Sequence, residues 1–306
     1  MTESVHYELY GTLLFTVLAV LPLVLPIVLF LRWIRVRRKG DGNKAFRKLS
    51  LGCVLVFLIY VLVAVDAYYV EPNWPRMEAV EISGKLKSKL TVLHLSDLHI
   101  EKNMPRRERW LVEMLGKVSP DLIFITGDIH QTDNHDTNSI DRVLRHMKAP
   151  LGVFACLGYD NLTMLKQANT NIVYLHDTAA IVRRNTDVVA IVGSPGTQIE
   201  KQRHLLAKAD YRIILEHTPD GVERAADLSA DLYLCGHTHG GQVRIPFWGA
   251  IITNCETGKK YEAGLYTLRN MIIHTSRGLG LEPEPAPQVR FFCRPEITLI
   301  NIIPSK

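Results

Sequence analysis

The sequence predicts an α/β domain that follows two membrane-spanning helices, and two patterns carry this prediction. From residue 90 onward, short apolar runs alternate with amphipathic helical segments, which is typical of an α/β domain. Before them lie two long apolar runs, residues 9–31 and 49–70, and roughly 20 apolar helical residues are enough to cross a bilayer core.

The first apolar run, residues 9–31, contains no charged residue. Its prolines, Pro22 and Pro26, do not exclude a membrane helix, because such helices tolerate proline. A cleaved signal peptide is the alternative, but the residues before the run, MTESVHYE, are acidic where a signal peptide is basic, and a second long run follows. In that second run, Tyr68 and Tyr69 suit the aromatic belt of a bilayer interface.

A short basic segment separates the two runs. It holds one acidic residue, Asp41, and eight basic ones: Arg32, Arg35, Arg37, Arg38, Lys39, Lys44, Arg47 and Lys48. Short cytoplasmic loops carry such an excess of Lys and Arg. We therefore expect a multi-pass protein of an inner or plasma membrane, with this loop in the cytoplasm and the C-terminal domain outside it. Four basic residues after the second run favour the opposite orientation, but they are fewer than the eight in the loop.

The rest of the chain is almost neutral. The formal net charge is +5, and residues 1–70 hold eight Lys and Arg against four Asp and Glu, which leaves +1 for residues 71–306. A neutral domain lacks the positive surface that nucleic-acid binding requires, so we expect no nucleic-acid partner. Five cysteines in 306 residues exclude a scaffold built from disulfides.

Residues 1–70 are thus predicted to form a transmembrane hairpin, residues 71–89 a linker, and residues 90–306 the α/β domain. Buried strands are short apolar runs closed by turn residues, and helices place apolar residues three and four positions apart. These patterns predict strands at 90–95, 121–126, 152–157, 180–183, 188–192, 212–217, 231–237, 271–278 and 296–303, and helices at 106–118, 139–147, 199–208 and 220–227.

Acidic and histidine residues follow four of the predicted strands, at the sheet edge where open α/β folds bind ligands. One histidine at such a place is usually structural, but six Asp and His residues from four separate strands indicate a site for divalent metals. They are Asp97, His99, Asp128, His217, His237 and His239. Two metals held by such a set can clamp both oxygens of an in-line displacement at phosphorus.

In order along the chain, the motifs SDLH (96–99), GD (127–128), EH (216–217) and GHTHGGQ (236–242) resemble the calcineurin-like metallophosphoesterase family. GHTHGGQ and the closing segment 277–300 resemble one bacterial, membrane-anchored branch of it. The resemblance covers about residues 90–303. It implies a four-layer α/β/β/α sandwich that binds two divalent ions, chosen from manganese, iron and zinc.

The resemblance also implies a role for each candidate ligand. The implied ligands are Asp97, His99 and His239 for the first metal, His217 and His237 for the second, and Asp128 as the bridge. Separately, Arg277 follows a predicted strand, and we expect its guanidinium to hold a phosphate oxygen of the substrate.

One family motif is altered. The family has GNH followed by Asp or Glu, where the Asn ligates the second metal and the His protonates the leaving group or steadies the phosphate; this chain has Gly158-Tyr159-Asp160-Asn161. Three outcomes stay open: Asp160 or Asn161 serves the second metal, that metal binds weakly and catalysis is slow, or the domain is a non-catalytic pseudophosphatase. We favour the first, with Asp160 as a catalytic residue, because the other six ligands are intact.

The sequence therefore predicts a membrane-anchored, dinuclear phosphoesterase that hydrolyses a phosphate ester or pyrophosphate. Because the domain is expected beside a bilayer, a lipid-linked substrate is the natural expectation. A pyrophosphate hydrolase of the UDP-diacylglucosamine type is the enzymatic alternative. That substrate lies at the cytoplasmic face of the membrane, which conflicts with the predicted orientation.

Overall fold

A computed structural model describes residues 24, 26–32, 34–36, 44–168, 171–194, 199–283 and 286–305, with the backbone alone at 44–50. Most of the first predicted span, residues 9–31, lies outside the described residues. The residues of that span that are described, 24 and 26–31, are helical.

The second predicted span is a long exposed helix. Helix α1 (Lys44–Val65) continues through a π-helical turn (Asp66–Val70) and a 3₁₀ turn (Glu71–Asn73). Within the described ranges, one helix, Leu51–Asn73, is long and apolar enough to cross a membrane, and it is almost entirely exposed. The structure thus supports one apolar helix where the sequence predicts a hairpin of two, and the hairpin stays a prediction.

The first of two six-stranded sheets has the order β1-β14-β2-β3-β4-β5. Its strands are β1 (Arg76–Gly84), β2 (Leu90–Leu95), β3 (Leu122–Thr126), β4 (Val153–Cys156), β5 (Ile172–Leu175) and β14 (Glu296–Pro304). Strands β2 to β5 run parallel, whereas β14 is antiparallel to β2 and parallel to β1. The carboxyl ends of β2, β3 and β4 therefore meet at one edge of this sheet.

The second sheet has the order β12-β13-β9-β8-β7-β6. Its strands are β6 (Thr178–Arg184), β7 (Asp187–Gly193), β8 (Tyr211–Leu215), β9 (Leu232–Cys235), β12 (Gly264–Leu268) and β13 (Met271–Thr275). The four central strands are parallel, and both edge strands are antiparallel to their neighbours. Between β9 and β12 lies a small hairpin of β10 (Arg244–Ile245) and β11 (Gly249–Ala250).

Three hydrophobic cores stack these elements into an α/β sandwich. Residues from both sheets, such as Phe124 and Ile213, form the middle core, which shows that the sheets pack face to face. The outer face of the first sheet packs against Leu111 and Ile140, and that of the second against Val222. The helices on these outer faces are α2 (Arg106–Leu115), α3 (Thr137–Leu144), α4 (Leu162–Gln167), α5 (Arg203–Leu206) and α6 (Val222–Asp227).

The segment 71–89, predicted as a linker, contains strand β1, which pairs with β14 along its full length. Its side chains alternate between half-buried and exposed, so its sequence lacks the continuous apolar run that marks the central strands. Strands β5 and β12 escaped prediction for the same reason, since each alternates or mixes exposed and buried positions at a sheet margin. Edge position, which depends on the whole sheet, explains all three.

Candidate metal centre

The six predicted ligands lie together beyond the carboxyl ends of strands in both sheets. The ends of β2 and β3 supply Asp97, His99 and Asp128, and the ends of β8 and β9 supply His217, His237 and His239. Five of them are more than nine-tenths buried, and His237 is half-buried. The arrangement of these side chains is as the sequence predicts, while their role as ligands stays a prediction.

The backbone at these positions is strained in a consistent way. Five of the six residues have a positive φ: Asp97 at 47°, His99 at 42°, Asp128 at 49°, His237 at 65° and His239 at 47°. The left-handed conformation costs an L-residue about 1–2 kcal/mol. Such conformations persist where the surrounding structure fixes them, and they concentrate at functional sites.

Two overlapping groups of ligand atoms are compact enough to hold a cation. The ligand atoms of Asp97, His99 and His239 lie within 4.8 Å of one another, and those of Asp97, Asp128 and His217 do so as well. Asp97 belongs to both groups, whereas the family resemblance gives the bridge to Asp128. Oδ2 of Asp128 lies 3.7 Å from Nε2 of His99 and 3.5 Å from Nε2 of His217, so this carboxylate also faces both groups.

His217 and His237 face each other through one ring nitrogen each. Nδ1 of His217 lies 2.9 Å from the carbonyl oxygen of Thr126, and Nε2 of His237 lies 2.9 Å from that of Asn254. A carbonyl only accepts, so these two nitrogens carry the protons. The remaining nitrogens, Nε2 of His217 and Nδ1 of His237, are then 3.2 Å apart. Two facing lone pairs require a proton or a cation between them, and backbone carbonyls commonly orient metal-binding histidines in this way.

The charges of the cluster favour a cation. Burial raises the pKa of Asp97 to about 7, and burial lowers the pKa of His99 to about 4. His217 behaves oppositely: burial lowers its pKa, but the hydrogen bond and charge of Asp128 outweigh burial and raise the pKa to about 10. The carboxylates thus hold a proton on His217, at the place where a divalent ion would satisfy them instead.

Two glycines let the backbone lie against the carboxylates. A Cβ on Gly158 would lie 2.2 Å from Oδ1 of Asp128, and a Cβ on Gly236 would lie 2.1 Å from Oδ2 of Asp97. Neither distance is possible for a side chain, so only glycine fits. The close approach lets the amide of His237 donate to both oxygens of Asp97, at 3.1 Å each.

The carboxylate of Asp160 accepts hydrogen bonds from backbone amides near Asp128. Its Oδ1 accepts the amide of Ile129 at 2.7 Å, and its Oδ2 accepts the amide of Gly158 at 3.2 Å. Burial and the charge of Asp128 raise its pKa. These contacts tie the loop that carries Asp128 to the altered motif. They favour a positioning role for Asp160 over the catalytic role expected from the sequence.

Tyr159, which replaces the family's Asn, covers the second group of ligands. Its amide donates to Oδ1 of Asp128 at 2.7 Å. Its ring is 74% exposed and lies 6.0 Å from the His217 ring and 6.3 Å from the His237 ring, measured between centroids. A flat aromatic side chain therefore borders the mouth of the site at the position where the family has an amide.

The guanidinium of Arg277 is engaged by a partner outside the six candidate ligands. Its guanidinium pairs with Glu296 at 3.7 Å and lines a cavity with Arg76 and Trp74, near the end of the apolar helix. These contacts engage the guanidinium on the helix side of the domain, and the phosphate-binding role expected from the sequence stays a prediction. A strand-end position alone could not give the direction of so long a side chain.

Two residues that the sequence did not single out touch His239. Oε2 of Glu282 lies 3.2 Å from its Nε2, and Nη2 of the fully buried Arg290 lies 3.3 Å from its Nδ1. Arg290 also donates to the carbonyl oxygens of Arg277 and Gly280, which fixes the loop behind the site. Both residues come from the closing segment after β13, and only the family resemblance of that segment hinted at them.

A groove of about 600 Å³ opens beside the ligands. His237 and His239 line it together with largely aliphatic residues: Val243, Ile251, Ile252, Pro287 and Val289. On the other side of Pro283 lies a polar cavity of about 780 Å³, lined by residues such as Asp133 and His135. The candidate metal centre therefore has apolar space on one side and polar space nearby.

One family model and three known proteins match much of the domain. A family model described as calcineurin-like phosphoesterase matches residues 90–241. The chain is 31% identical to the metallophosphoesterase YkuE of Bacillus subtilis over 69% of this chain and 78% of that protein. It is 28% identical to the phosphodiesterase YaeI of Escherichia coli, over 77% and 91%. It is also 26% identical to the UDP-2,3-diacylglucosamine pyrophosphatase LpxG of Chlamydia muridarum, over 79% and 94%.

Proposed function

Because the chain belongs to the calcineurin-like phosphoesterase family, whose members are metal-dependent phosphoric ester hydrolases, we propose that it hydrolyses a phosphate ester or pyrophosphate at a membrane surface. The observation that carries the proposal is the cluster of buried Asp and His side chains drawn from four strands.

The residues present fit two divalent ions. Asp97, His99 and His239 would hold one ion, and His217 and His237, whose facing ring nitrogens are 3.2 Å apart, would hold the other. Asp128 would lie between the two. Bound ions would supply Lewis-acid chemistry, which polarises a phosphoryl oxygen and stabilises the charge of the transition state. The donor set of imidazole and carboxylate suits manganese, iron and zinc.

The protein's own groups then have separate tasks. The amides of His237 and Tyr159 hold the carboxylates of Asp97 and Asp128 in place, and Asp160 holds the loop around Asp128. Glu282 contacts His239 and lines the groove, and its side chain is 27% exposed. Loss of the family's histidine by itself removes a proton donor, which typically costs about 10²–10⁴-fold in rate.

A lipid-linked substrate is the finer part of the proposal. His237 and His239 are among the residues that line the apolar groove, so an acyl chain bound in it would hold an attached phosphate near the candidate metal ligands. Burying one methylene group contributes about 0.8 kcal/mol, so binding should strengthen with the length of the chain. The similarity to LpxG favours a second candidate, a pyrophosphatase acting on a nucleotide-linked diacyl sugar. A domain that binds metal or a phosphorylated ligand without hydrolysis is the third.

The test is metal content and turnover measured together on the full-length chain in detergent. The full chain is needed because Ala67 and Glu71, at the end of the apolar helix, pack against the domain. We expect turnover of a phosphodiester and of a diacyl pyrophosphate to vanish on chelation and to return with two manganese, iron or zinc ions per chain. Full metal loading without turnover on either substrate would favour the non-catalytic domain and would contradict the proposal.

The orientation in the membrane gives a separate prediction. Eight basic residues precede the apolar helix, so we propose that the domain lies outside the cytoplasm. A reporter enzyme that is active only in the cytoplasm, fused after Lys306, should stay silent, whereas the same reporter fused in the basic loop should be active. An active C-terminal fusion would reverse the orientation and would favour the nucleotide-linked substrate.

A further inference from the structure

The apolar helix is fixed to the domain by a dense set of contacts. The amide of Phe292 donates to Oε2 of the buried Glu71 at 2.9 Å, and the amide of Cys293 donates to its other oxygen. The amide of Arg290 donates to the carbonyl oxygen of Ala67 at 2.9 Å, and that of Arg76 donates to Pro295 at the same distance. The helix direction is therefore set relative to the domain, and so is the face that the domain turns toward a membrane crossed by this helix.

That face carries exposed aromatic side chains from three separate segments. The π-helical and 3₁₀ turns present Tyr68, Tyr69 and Trp74, the tip of the β10–β11 hairpin presents Phe247 and Trp248, and Phe292 lies between them. Phe292 lines one shallow cavity with Trp74 and Glu71, and a second with Phe247 and Trp248, so the three segments are neighbours. We call these six residues the aromatic collar.

The backbone of the collar is unfavourable for the residues that occupy it. Phe247 has a φ of 66° and Phe292 a φ of 51°, although a bulky side chain in this region is an outlier. Both rings project into solvent, with exposures of 112% and 58%, so neither contributes to a core. Glycine or asparagine would fit these two positions at lower cost. Folding therefore does not explain two phenylalanines at these positions.

Single exposed aromatics are ordinary, but a contiguous group beside an apolar helix is not. We propose that the aromatic collar docks into the interfacial layer of the bilayer crossed by the helix. Trp and Tyr favour that layer, and cations there keep their charge in water while their stems stay apolar. Two cations lie against rings of the collar. Nζ of Lys259 lies 3.4 Å from the Trp248 ring centroid, and the Arg294 guanidinium lies 4.0 Å from the Trp74 ring centroid.

The consequence concerns substrate delivery. Val243 and Ile251 flank the β10–β11 hairpin and line the apolar groove, so insertion of the hairpin tip would bring the groove toward the lipid layer. An acyl chain would then reach the metal ligands with less exposure to water. The inference rests on the membrane anchor in the proposed function, but it does not require any particular substrate.

The experiment uses the full-length chain with a single reactive cysteine. Cys53 is replaced by Ser, because it is half-exposed, whereas the other four cysteines are buried. Phe247→Cys is labelled with a polarity-sensitive fluorophore, and Val173→Cys, on the opposite edge strand β5 and 47% exposed, is the matched control. Both proteins are reconstituted into phosphatidylcholine and phosphatidylglycerol vesicles, with or without brominated acyl chains.

We expect the probe at position 247 to shift to the blue and to lose most of its emission in brominated vesicles, while the probe at 173 stays unchanged. Equal, unquenched emission at both positions would overturn the collar, as would shielding of position 247 from iodide without quenching by bromine, which would indicate a second copy of the chain there. Alkaline extraction tests the anchor separately. If the chain resists extraction but the probe at 247 is not quenched, only the proposed membrane docking of the collar is wrong. If the chain is extracted, the proposed membrane anchor is wrong, and the docking of the collar with it.

Discussion

Asp128→Asn is expected to abolish turnover and to lower the occupancy of both metals. The substitution keeps the shape of the side chain but removes the charge that faces Nε2 of both His99 and His217. The loss of activity should exceed the roughly 10–100-fold that removal of an outer partner of a metal ligand costs.

The measurement is elemental analysis of the purified chain together with turnover at saturating metal. His239→Ala is the informative comparison, because it belongs to the first group of ligands and should empty chiefly that site. Glu113→Gln, which changes an exposed carboxylate in a surface ion pair, should alter neither reading. If Asp128→Asn and His239→Ala both retained two metals per chain, the assignment of the metal centre would be wrong.

Asp160→Ala is expected to destabilise the domain and to reduce activity through the loop around Asp128. The carboxylate accepts the amides of Ile129 and Gly158, both beside the ligands. An amide left buried without a partner costs about 1–3 kcal/mol, so the free energy of unfolding should fall by that amount for each amide. Denaturant unfolding of the full-length chain in detergent measures the change, with metal content and turnover recorded on the same samples.

Graded variants separate positioning from metal ligation by Asp160. Asp160→Asn keeps one acceptor oxygen for the amide of Ile129, so it should recover part of the stability and part of the activity. If Asp160 were instead a metal ligand, both variants would lose the second metal while the free energy of unfolding of the metal-free chain stayed at the wild-type value. Glu113→Ala should leave all three readings unchanged, because an exposed ion pair contributes little.

The double variant Tyr159→Asn with Asp160→His recreates the family's GNH motif and tests activity and stability at once. The sequence alone suggests that it should raise activity. The structure indicates a cost, because the imidazole that replaces Asp160 cannot accept two amides at once. Higher turnover with lower stability is therefore the expected combination.

The grouping of the six candidate metal ligands could be predicted from the sequence, because local rules determine where each of them lies. Each of the six Asp and His residues follows an apolar strand, and parallel strands bring their carboxyl ends to one sheet edge. The central strands could also be predicted from the sequence, since strands buried on both faces appear as continuous apolar runs. The ordered motifs then identified the family, which the comparisons confirm.

The tertiary structure alone decided the features that depend on partners distant in sequence. Strand β1 looked like a linker because its partner, β14, lies some 220 residues away. The hydrogen bonds of Asp160 and the ion pair of Arg277 also come from the tertiary structure, because position in a motif does not fix where a side chain points, and the roles predicted for both residues stay predictions. The contacts of Glu282 and Arg290 with His239, the apolar groove and the aromatic collar arise only when separate loops meet. Local pattern sets which residues end a strand, but packing between sheets and loops sets what those residues touch.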